Sequence, residues 1–445
     1  MVANLAVIIL GAGKGTRMQS AMPKVLHEIA GRTMLGHVQA TADELNPQRC
    51  LTVLGPEAEA FEVAGEVVIQ KHRRGTGHAV QVACSHLDSF DGWILVLYGD
   101  SPLVRASFLK QMLTRAEAET ADLVVSGFRS GDPSTYGRLV VQGGKLERIV
   151  EFKDATEKER TINFCNGGIM ALRAPQCLHL LDQLTTQNAA AELYLTDIVG
   201  LMGQQGSLCI AVEADETDLK GVNTREELSE AEAVMQKRLR STHMDAGVTM
   251  IDPGSVKLSY DTKIGVDTVL EPNQVIGPGV TIGTRAIIRG FCHLEETEIS
   301  DGASIGPFAR LRPGTKVGPK VRVGNFVETK NADFGEGSKV NHLSYVGDAK
   351  IGSFANIGAG TITCNYDGFS KHQTEIGDRA FIGSNTALVA PISIGEGAIV
   401  GAGSTLTKDV PPNSLTVTRG PIKSVQGGAV ALRQRLVKHK KETKK

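Results

Sequence analysis

Along the first half of the chain, short runs in which nearly every position is apolar alternate with stretches in which apolar residues return every three or four. Ala6–Leu10, Val67–Gln70, Trp93–Tyr98 and Leu123–Ser126 are of the first kind, rich in Val, Ile and Leu, and predict strands buried on both faces. Met34–Glu44, Ala79–Leu87 and Ser107–Glu119 have helical character. Such alternation predicts an α/β domain with a largely parallel sheet and right-handed crossovers, whose ligands bind at the carboxyl ends of the strands. In Arg225–Met244, Leu228, Ala231, Met235 and Leu239 share one helical face with charged residues elsewhere. This segment reads equally as a connecting helix or as a structural helix of the first domain. The expected division is a first domain at 1–224, a linker helix at 225–247 and a second domain at 248–445.

From Ile264 the period changes to six. Hexads of the form aliphatic–Gly–x–x–small–x run from IGVDTV (264–269) and IGTRAI (282–287) to IGEGAI (394–399) and VGAGST (400–405), twelve in all. A six-residue period predicts a β-helix in which one aliphatic residue per face points inward, glycine takes the corner, and stacked coils bury a continuous core. Ile264–Pro411 gives about seven to eight coils. After Ile351 only Thr363–Glu375, thirteen residues, breaks the register. An insertion in a solenoid becomes an excursion on one face, and such loops often bind ligands.

Composition narrows the classes. A chain of 445 residues exceeds one ordinary domain. Lys+Arg 48 against Asp+Glu 49 argues against a protein built around nucleic acid. The charge is uneven, since Arg433–Lys445 carries seven Lys/Arg and one Glu. The tail Ala429–Lys445 is expected to be helical in part and to form a solvated, frayed terminus, with contact to coenzyme phosphates as the alternative. No apolar run reaches the roughly 18 residues of a membrane span, and Leu5–Leu10 lacks the basic flank of a secretory signal. The seven Cys include no C-x-x-C pair and read as buried thiols of a reducing cytoplasm, without a disulfide frame or zinc site.

The strand Ala6–Leu10 runs into Gly11-Ala12-Gly13-Lys14-Gly15-Thr16-Arg17-Met18, followed by Pro23-Lys24. Three glycines at alternate positions let the backbone turn tightly and present N–H groups to an anion, while Lys14, Arg17 and Lys24 add positive charge. The dinucleotide fingerprint is excluded by Thr16, and the P-loop by Gly15, which stands where Ser or Thr must follow Gly-Lys. This string, with Gln70, Gly75–Ala79, Tyr98-Gly99-Asp100, Tyr136-Gly137-Arg138, Val150-Glu151, Asn166-Gly167-Gly168 and Gly221-Val222-Asn223, resembles the sugar-nucleotidyltransferase domain. More narrowly, it is similar to the uridyltransferase half of the bacterial family of bifunctional N-acetylglucosamine-1-phosphate uridyltransferases and glucosamine-1-phosphate N-acetyltransferases. The resemblance covers nearly the entire chain. It implies a Rossmann-like α/β nucleotidyltransferase domain followed by a left-handed parallel β-helix.

In that chemistry a sugar-1-phosphate oxygen attacks the α-phosphorus of UTP as pyrophosphate leaves, which needs alignment and charge neutralisation rather than a protein nucleophile. The resemblance gives the nucleotide and the sugar to Leu10, Gly11, Ala12, Gly13, Gln70, Gly75, Thr76, Tyr98, Gly99, Gly137, Glu151, Asn166 and Asn223. Within that set Gln70, Gly75 and Thr76 meet the uracil, and Gly137, Glu151 and Asn166 the sugar. It makes Arg17 and Lys24 catalytic, Lys24 on the transferring phosphate, and places Mg2+ on Asp100 and Asn223. Gly11 departs from the Ala common in the family, which adds backbone freedom without removing a ligand.

On the repeats, Gly306–Gly314, Asn325–Lys330 and Asn341–Tyr345 bring cations and His342 to a solenoid face. Acetyl transfer from a thioester to an amine needs a proton acceptor of near-neutral pKa and a donor for the tetrahedral oxyanion. These strings resemble the acetyltransferase half of the same family. The resemblance makes His342 the base for the amine of glucosamine-1-phosphate, gives the sugar phosphate to Arg312 and Lys330, and completes the acceptor site with Tyr345, Asn356 and Lys371. Asn365 and Tyr366 meet acetyl-CoA, and Ser384, Ala402 and Arg419 follow along the coenzyme. Asn331 stands where relatives often have a second Lys, implying weaker phosphate or coenzyme affinity. The expected protein is a cytoplasmic homotrimer with clefts between subunits and no nucleic-acid or membrane partner. It acetylates glucosamine-1-phosphate and couples the N-acetylglucosamine-1-phosphate to UTP with Mg2+. The alternatives are a single-activity sugar-nucleotide pyrophosphorylase with a regulatory β-helix, and a scaffold that merely binds nucleotide.

Overall fold

The computed structural model describes residues 4–57, 63–87 and 89–442. Contacts divide it into two compact units, Met1–Thr242 with Leu258–Tyr260 and His243–Lys257 with Asp261–Lys445.

In the first unit the apolar runs become β1 (Leu5–Leu10), β2 (Arg49–Leu54), β3 (Glu66–Ile69), β4 (Gly92–Tyr98) and β5 (Leu123–Arg129). Between them lie α1 (Met34–Asp43), α2 (Thr76–Cys84) and α3 (Ala106–Ala118). Further elements include a hairpin of β6 (Arg138–Gln142) and β7 (Lys145–Val150), α4 (Glu157–Arg160), β8 (Phe164–Ala174), β9 (Cys209–Glu213) and α5 (Arg225–Asp245). The sheet order is β9-β5-β8-β4-β1-β2-β3, with the hairpin attached to β8. All neighbours on that path are parallel except β8, which runs antiparallel to both β4 and β5. Alternate residues of β1 feed two different cores, Ala6 and Ile8 one and Leu5, Val7 and Ile9 the other. That is why its sequence is apolar without a break. Ala231 of α5 is buried with Ile29, Met34, Leu103 and Val222, and Leu228, Met235 and Leu239 pack against them. The apolar face of α5 therefore covers the first unit.

The second unit is a parallel β-helix. One face is a ten-stranded sheet whose neighbours sit about one coil apart, as in Val269↔Ile287 and Ser304↔Arg322. It begins at Thr249-Met250 and ends at Leu415-Thr416, beyond both ends of the regular hexads, so the solenoid is longer than the hexads alone indicate. Inward columns stack Leu270, Ile288, Ile305, Val323, Val340, Ile357, Ile382 and Val400 on this face, all buried. On another face Ile282, Ile299, Val317, Phe334, Ile351, Ile376 and Ile394 do the same. The hexad glycine has a different reason from the expected corner conformation. With the exception of Gly306, these second-place glycines keep ordinary φ, but a Cβ on Gly265, Gly352 or Gly383 would fall 2.4–2.7 Å from backbone of the next coil. The left-handed corner is the fourth place, occupied by Asp267, Arg285, Phe308, Lys320, Phe326, Phe354, Arg379 and Asn385 as well as by four glycines.

Candidate active sites

The first site forms where β1 and β4 end. Gly11 N donates to Val53 O at 2.8 Å and Gly99 N to Leu10 O at 2.9 Å, so the glycine loop starts from a fixed edge. Leu10, Gly11, Ala12, Gly13, Lys14, Lys24, Gln70, Gly75, Thr76, Tyr98 and Asp100 line one cavity of about 520 Å3. Gly15 is left-handed, and a Cβ there would lie 2.6 Å from Cβ of Lys24, so glycine lets the loop close over that lysine. The following turn, Thr16–Met18, anchors on buried Met18. Arg17 lines a neighbouring cavity of about 520 Å3, with Tyr98, Asp100, Tyr136, Asn166 and Asn223.

Lys24 is buried, its ammonium held by Asp100 Oδ2 and by Asn223 Oδ1, the latter at 2.9 Å. The two residues that the resemblance gives to Mg2+ thus already share one cation. One carboxylate and one amide oxygen are hard donors, and they fit an ion that keeps several waters and takes substrate phosphates as its other ligands. Among the described residues no cluster of three or more His, Cys, Asp or Glu offers a different metal centre. None of the seven cysteines is bonded to another.

Where the resemblance places the uracil, Gln70 Nε2 donates to Gly75 O at 3.2 Å and lies 3.0 Å from His78 Nδ1. Gly75 has φ of +113°, and a Cβ would come within 2.5 Å of Leu193 O, so no other residue fits. Thr76 Oγ1 accepts from Leu195 N at 3.1 Å, fixing the start of α2. Where the resemblance places the sugar, Asn166 N donates to Gly137 O at 2.8 Å, and Glu151 Oε1 accepts from Thr196 Oγ1 at 3.2 Å. Burial, then Asp197 and Asp154, push the Glu151 carboxyl above its usual range. Sequence reasoning missed Arg73, whose Nε donates to Ala12 O while its guanidinium pairs with Glu57, in the lining of the cavity that Gln70 and Gly75 share.

The second unit holds a separate constellation. His342 Nδ1 lies 2.8 Å from Asn325 Oδ1, an acceptor, so the ring can donate from Nδ1 and keep Nε2 for another partner. Asn325 was not singled out from the sequence, yet it lies seventeen residues before His342, one coil away. The Lys330 ammonium is held below the usual lysine range by Lys371 first and then by Arg312. Arg312 pairs with Glu328 at 2.9 Å. Three cations against two carboxylates, Glu328 and Asp348, leave an excess of one positive charge that suits an oxyanion. A groove of about 760 Å3 runs beside His342 and Asn325, lined also by Arg289, Lys320 and Arg322. Arg312, Lys330, Tyr345 and Lys371 do not line it, and Asn356 stands on the ten-stranded face between Lys339 and Phe381.

The excursion is a hairpin tied to itself. It runs from the end of strand Ile362–Cys364 to the start of strand Thr374–Ile376, so it is shorter at both ends than the register break. Tyr366 bridges Lys371, and Asp367 accepts from Phe369 N at 2.8 Å and Ser370 N at 2.7 Å and pairs with His372. The hydrogen bond from Ser370 N, then His372, hold Asp367 well below the usual carboxylate range. Asn365 is buried at the base and donates to Asp348 Oδ2 at 2.5 Å, while Tyr366 is 62% exposed. Asp348 Oδ1 also accepts from Asn331 at 2.7 Å, so Asn331 is committed to a structural bond in a left-handed corner. Ser384, Ala402 and Arg419 follow one another along the solenoid: Gly403 N donates to Ser384 O at 2.8 Å, and Gly403 would set a Cβ 3.6 Å from Arg419 Cδ. Within the tail, Gly428–Glu442 is a helix whose described side chains are almost wholly exposed, while 443–445 lie outside the described residues.

Comparison with known proteins fits this division. The MobA-like NTP transferase domain family matches residues 7–195, and the hexapeptide repeat of succinyl-transferase matches 373–408. The chain is 50% identical over 437 residues to the Bifunctional protein GlmU of Paramagnetospirillum magneticum, covering 97% of each chain. It is 50% identical over 421 residues to that of Sphingopyxis alaskensis, covering 94% of this chain and 93% of the relative. With that of Azorhizobium caulinodans the identity is 50% over 437 residues, 97% of each.

Proposed function

Since the chain belongs to the family of the bifunctional GlmU proteins, we propose that its two units are separate catalysts making UDP-N-acetylglucosamine in two steps. The second unit transfers the acetyl group of acetyl-CoA to the amine of glucosamine-1-phosphate. The first then joins N-acetylglucosamine-1-phosphate to UTP and releases pyrophosphate. The observation that carries this reading is the presence of two unrelated constellations in two compact units of one chain. One is a glycine loop with an acid–amide pair around a cation; the other is a histidine bonded at Nδ1 to an amide, on a solenoid that also carries a cationic cluster.

In acetyl transfer the His342 imidazole, held by Asn325, takes the ammonium proton of the hexosamine and frees the nitrogen to attack the thioester carbonyl. Arg312, Lys330 and Lys371 grip the sugar phosphate, with Tyr345 and Asn356 completing the acceptor site. Asn365, Tyr366, Ser384, Ala402 and Arg419 accommodate the coenzyme. In uridylyl transfer the loop N–H groups of Gly11–Gly13 and the Arg17 guanidinium receive the triphosphate, and Lys24 neutralises the phosphate being transferred. Asp100 and Asn223 would hold Mg2+, which supplies charge neutralisation on the phosphates when bound. Gln70, Gly75 and Thr76 read the uracil, and Gly137, Glu151 and Asn166 the sugar. No described helix is long and apolar enough to cross a membrane. We place the protein in the cytoplasm as a homotrimer, in keeping with its repeats and with an exposed row of stacked rings, Phe291, Phe308 and Phe326, along one corner.

Two assays on the full chain test this. Free CoA is followed with glucosamine-1-phosphate and acetyl-CoA, and pyrophosphate with N-acetylglucosamine-1-phosphate, UTP and Mg2+. Asp100→Ala should abolish only pyrophosphate release and His342→Ala should cripple only CoA release. Loss of both activities in either variant refutes the assignment of separate sites.

A further inference from the structure

Arg138 is 2% exposed, and no ion pair to it occurs among the described residues. Its guanidinium is instead surrounded by carbonyl oxygens. Nη1 donates to Tyr136 O and to Pro133 O at 3.4 Å, and Nη2 to Ser134 O at 3.2 Å and Arg160 O at 3.4 Å, while Nε is buried without a partner. A buried charge without a counter-ion is costly, and a structure retains one where its donors hold something that would otherwise move. Here the captive segment is the loop 133–136, which carries the left-handed Ser134. With its carbonyls turned inward to Arg138, Ser134, Thr135 and Tyr136 line the cavity shared with Asn166 and Arg17.

Arg138 reaches the other sugar-side groups as well. Gly137 precedes it in the chain, and the Gly137 carbonyl accepts from Asn166 N at 2.8 Å. Phe152, next to Glu151, takes the Arg138 guanidinium at 5.7 Å from its ring centre and that of Arg160 at 4.7 Å. None of its partners belongs to Leu10–Gly13, Gln70, Gly75 or Thr76.

We infer that Arg138 is a positioning residue for the sugar-phosphate subsite, a buried guanidinium that shapes the loop 133–136 and sets Gly137, Glu151 and Asn166 without touching either substrate. Its planar fork satisfies several carbonyls at once, which a lysine ammonium on a flexible stem does not. The inference rests on the uridyltransferase reading above.

The test is steady-state pyrophosphate release by the full chain with Mg2+, varying UTP and N-acetylglucosamine-1-phosphate separately, for wild type, Arg138→Lys and Arg138→Ala. The KM for the sugar phosphate should rise by about tenfold to a hundredfold in both variants, with the KM for UTP nearly constant. Guanidinium ion at millimolar concentration should restore the alanine variant, and ammonium should not. Should the alanine variant fail to fold, the lysine variant carries the same pair of KM comparisons. An unchanged sugar KM, or a rise shared equally by both substrates, overturns the role of Arg138. A wild-type chain that releases no pyrophosphate refutes the uridyltransferase reading itself.

Discussion

Single side chains show both how much the sequence reveals and where it stops. Lys24, Asp100 and Asn223 were identifiable from short strings far apart in the chain, and folding brings their charged and polar ends to one point. Asn325 and Asp348 were not, because a lone Asn or Asp in a Gly-rich repeat looks like any corner residue until the coil spacing stacks it on its partner. Asn325→Ala should lower the kcat of acetyl transfer by about tenfold or more while leaving uridylyl transfer unchanged, since it removes the group that fixes the tautomer of His342. Glu151 makes an opposite bargain. Its folded-state pKa lies above the ordinary carboxyl value, chiefly through burial, so the folded state binds the proton more tightly than the unfolded chain. The stability it contributes is therefore full at acid pH and lost as pH rises through that elevated value. Glu151→Gln should raise the melting temperature of the first unit at neutral pH, with the gain shrinking as pH falls through that elevated value and gone by about pH 4, while the sugar KM rises. Thermal scans between acid and neutral pH, beside kinetics at neutral pH, check both parts.

Elements were legible where one period persists. The strands β1, β3, β4 and β5 appear within a few residues of the apolar runs, and every complete hexad has its fourth residue left-handed. The hairpin β6–β7 and the reversed β8 were not read, because direction in a sheet is set by where the connections pass and an apolar strand carries no mark of it. The excursion was found as an interruption, and the step Asn356↔Phe381 takes 25 residues where neighbouring steps take 17 or 18. Its tether is Asn365 on Asp348, so Asp348→Ala should free the hairpin and weaken acetyl-CoA binding, measurable as a higher KM for the coenzyme alone. In the interior, Phe334 is buried in a continuous aliphatic column, and Phe334→Ala should cost about 3–5 kcal/mol by denaturant titration.

For the whole molecule, two units with separate cores explain why one chain can house two chemistries, because each site draws its geometry from its own sheet or solenoid. The exposed phenylalanine row along one corner leaves the solenoid an apolar edge, and on the proposed homotrimer light scattering at assay concentration should return three times the chain mass. The independence of the two sites can be measured by mixing variants. Supplied with glucosamine-1-phosphate, acetyl-CoA, UTP and Mg2+, neither Asp100→Ala nor His342→Ala should make UDP-N-acetylglucosamine alone. Mixed together they should form it, the acetylated sugar phosphate passing from one chain to the other and detected by mass spectrometry. Formation of the product at the wild-type rate by the His342→Ala chain alone would contradict the account.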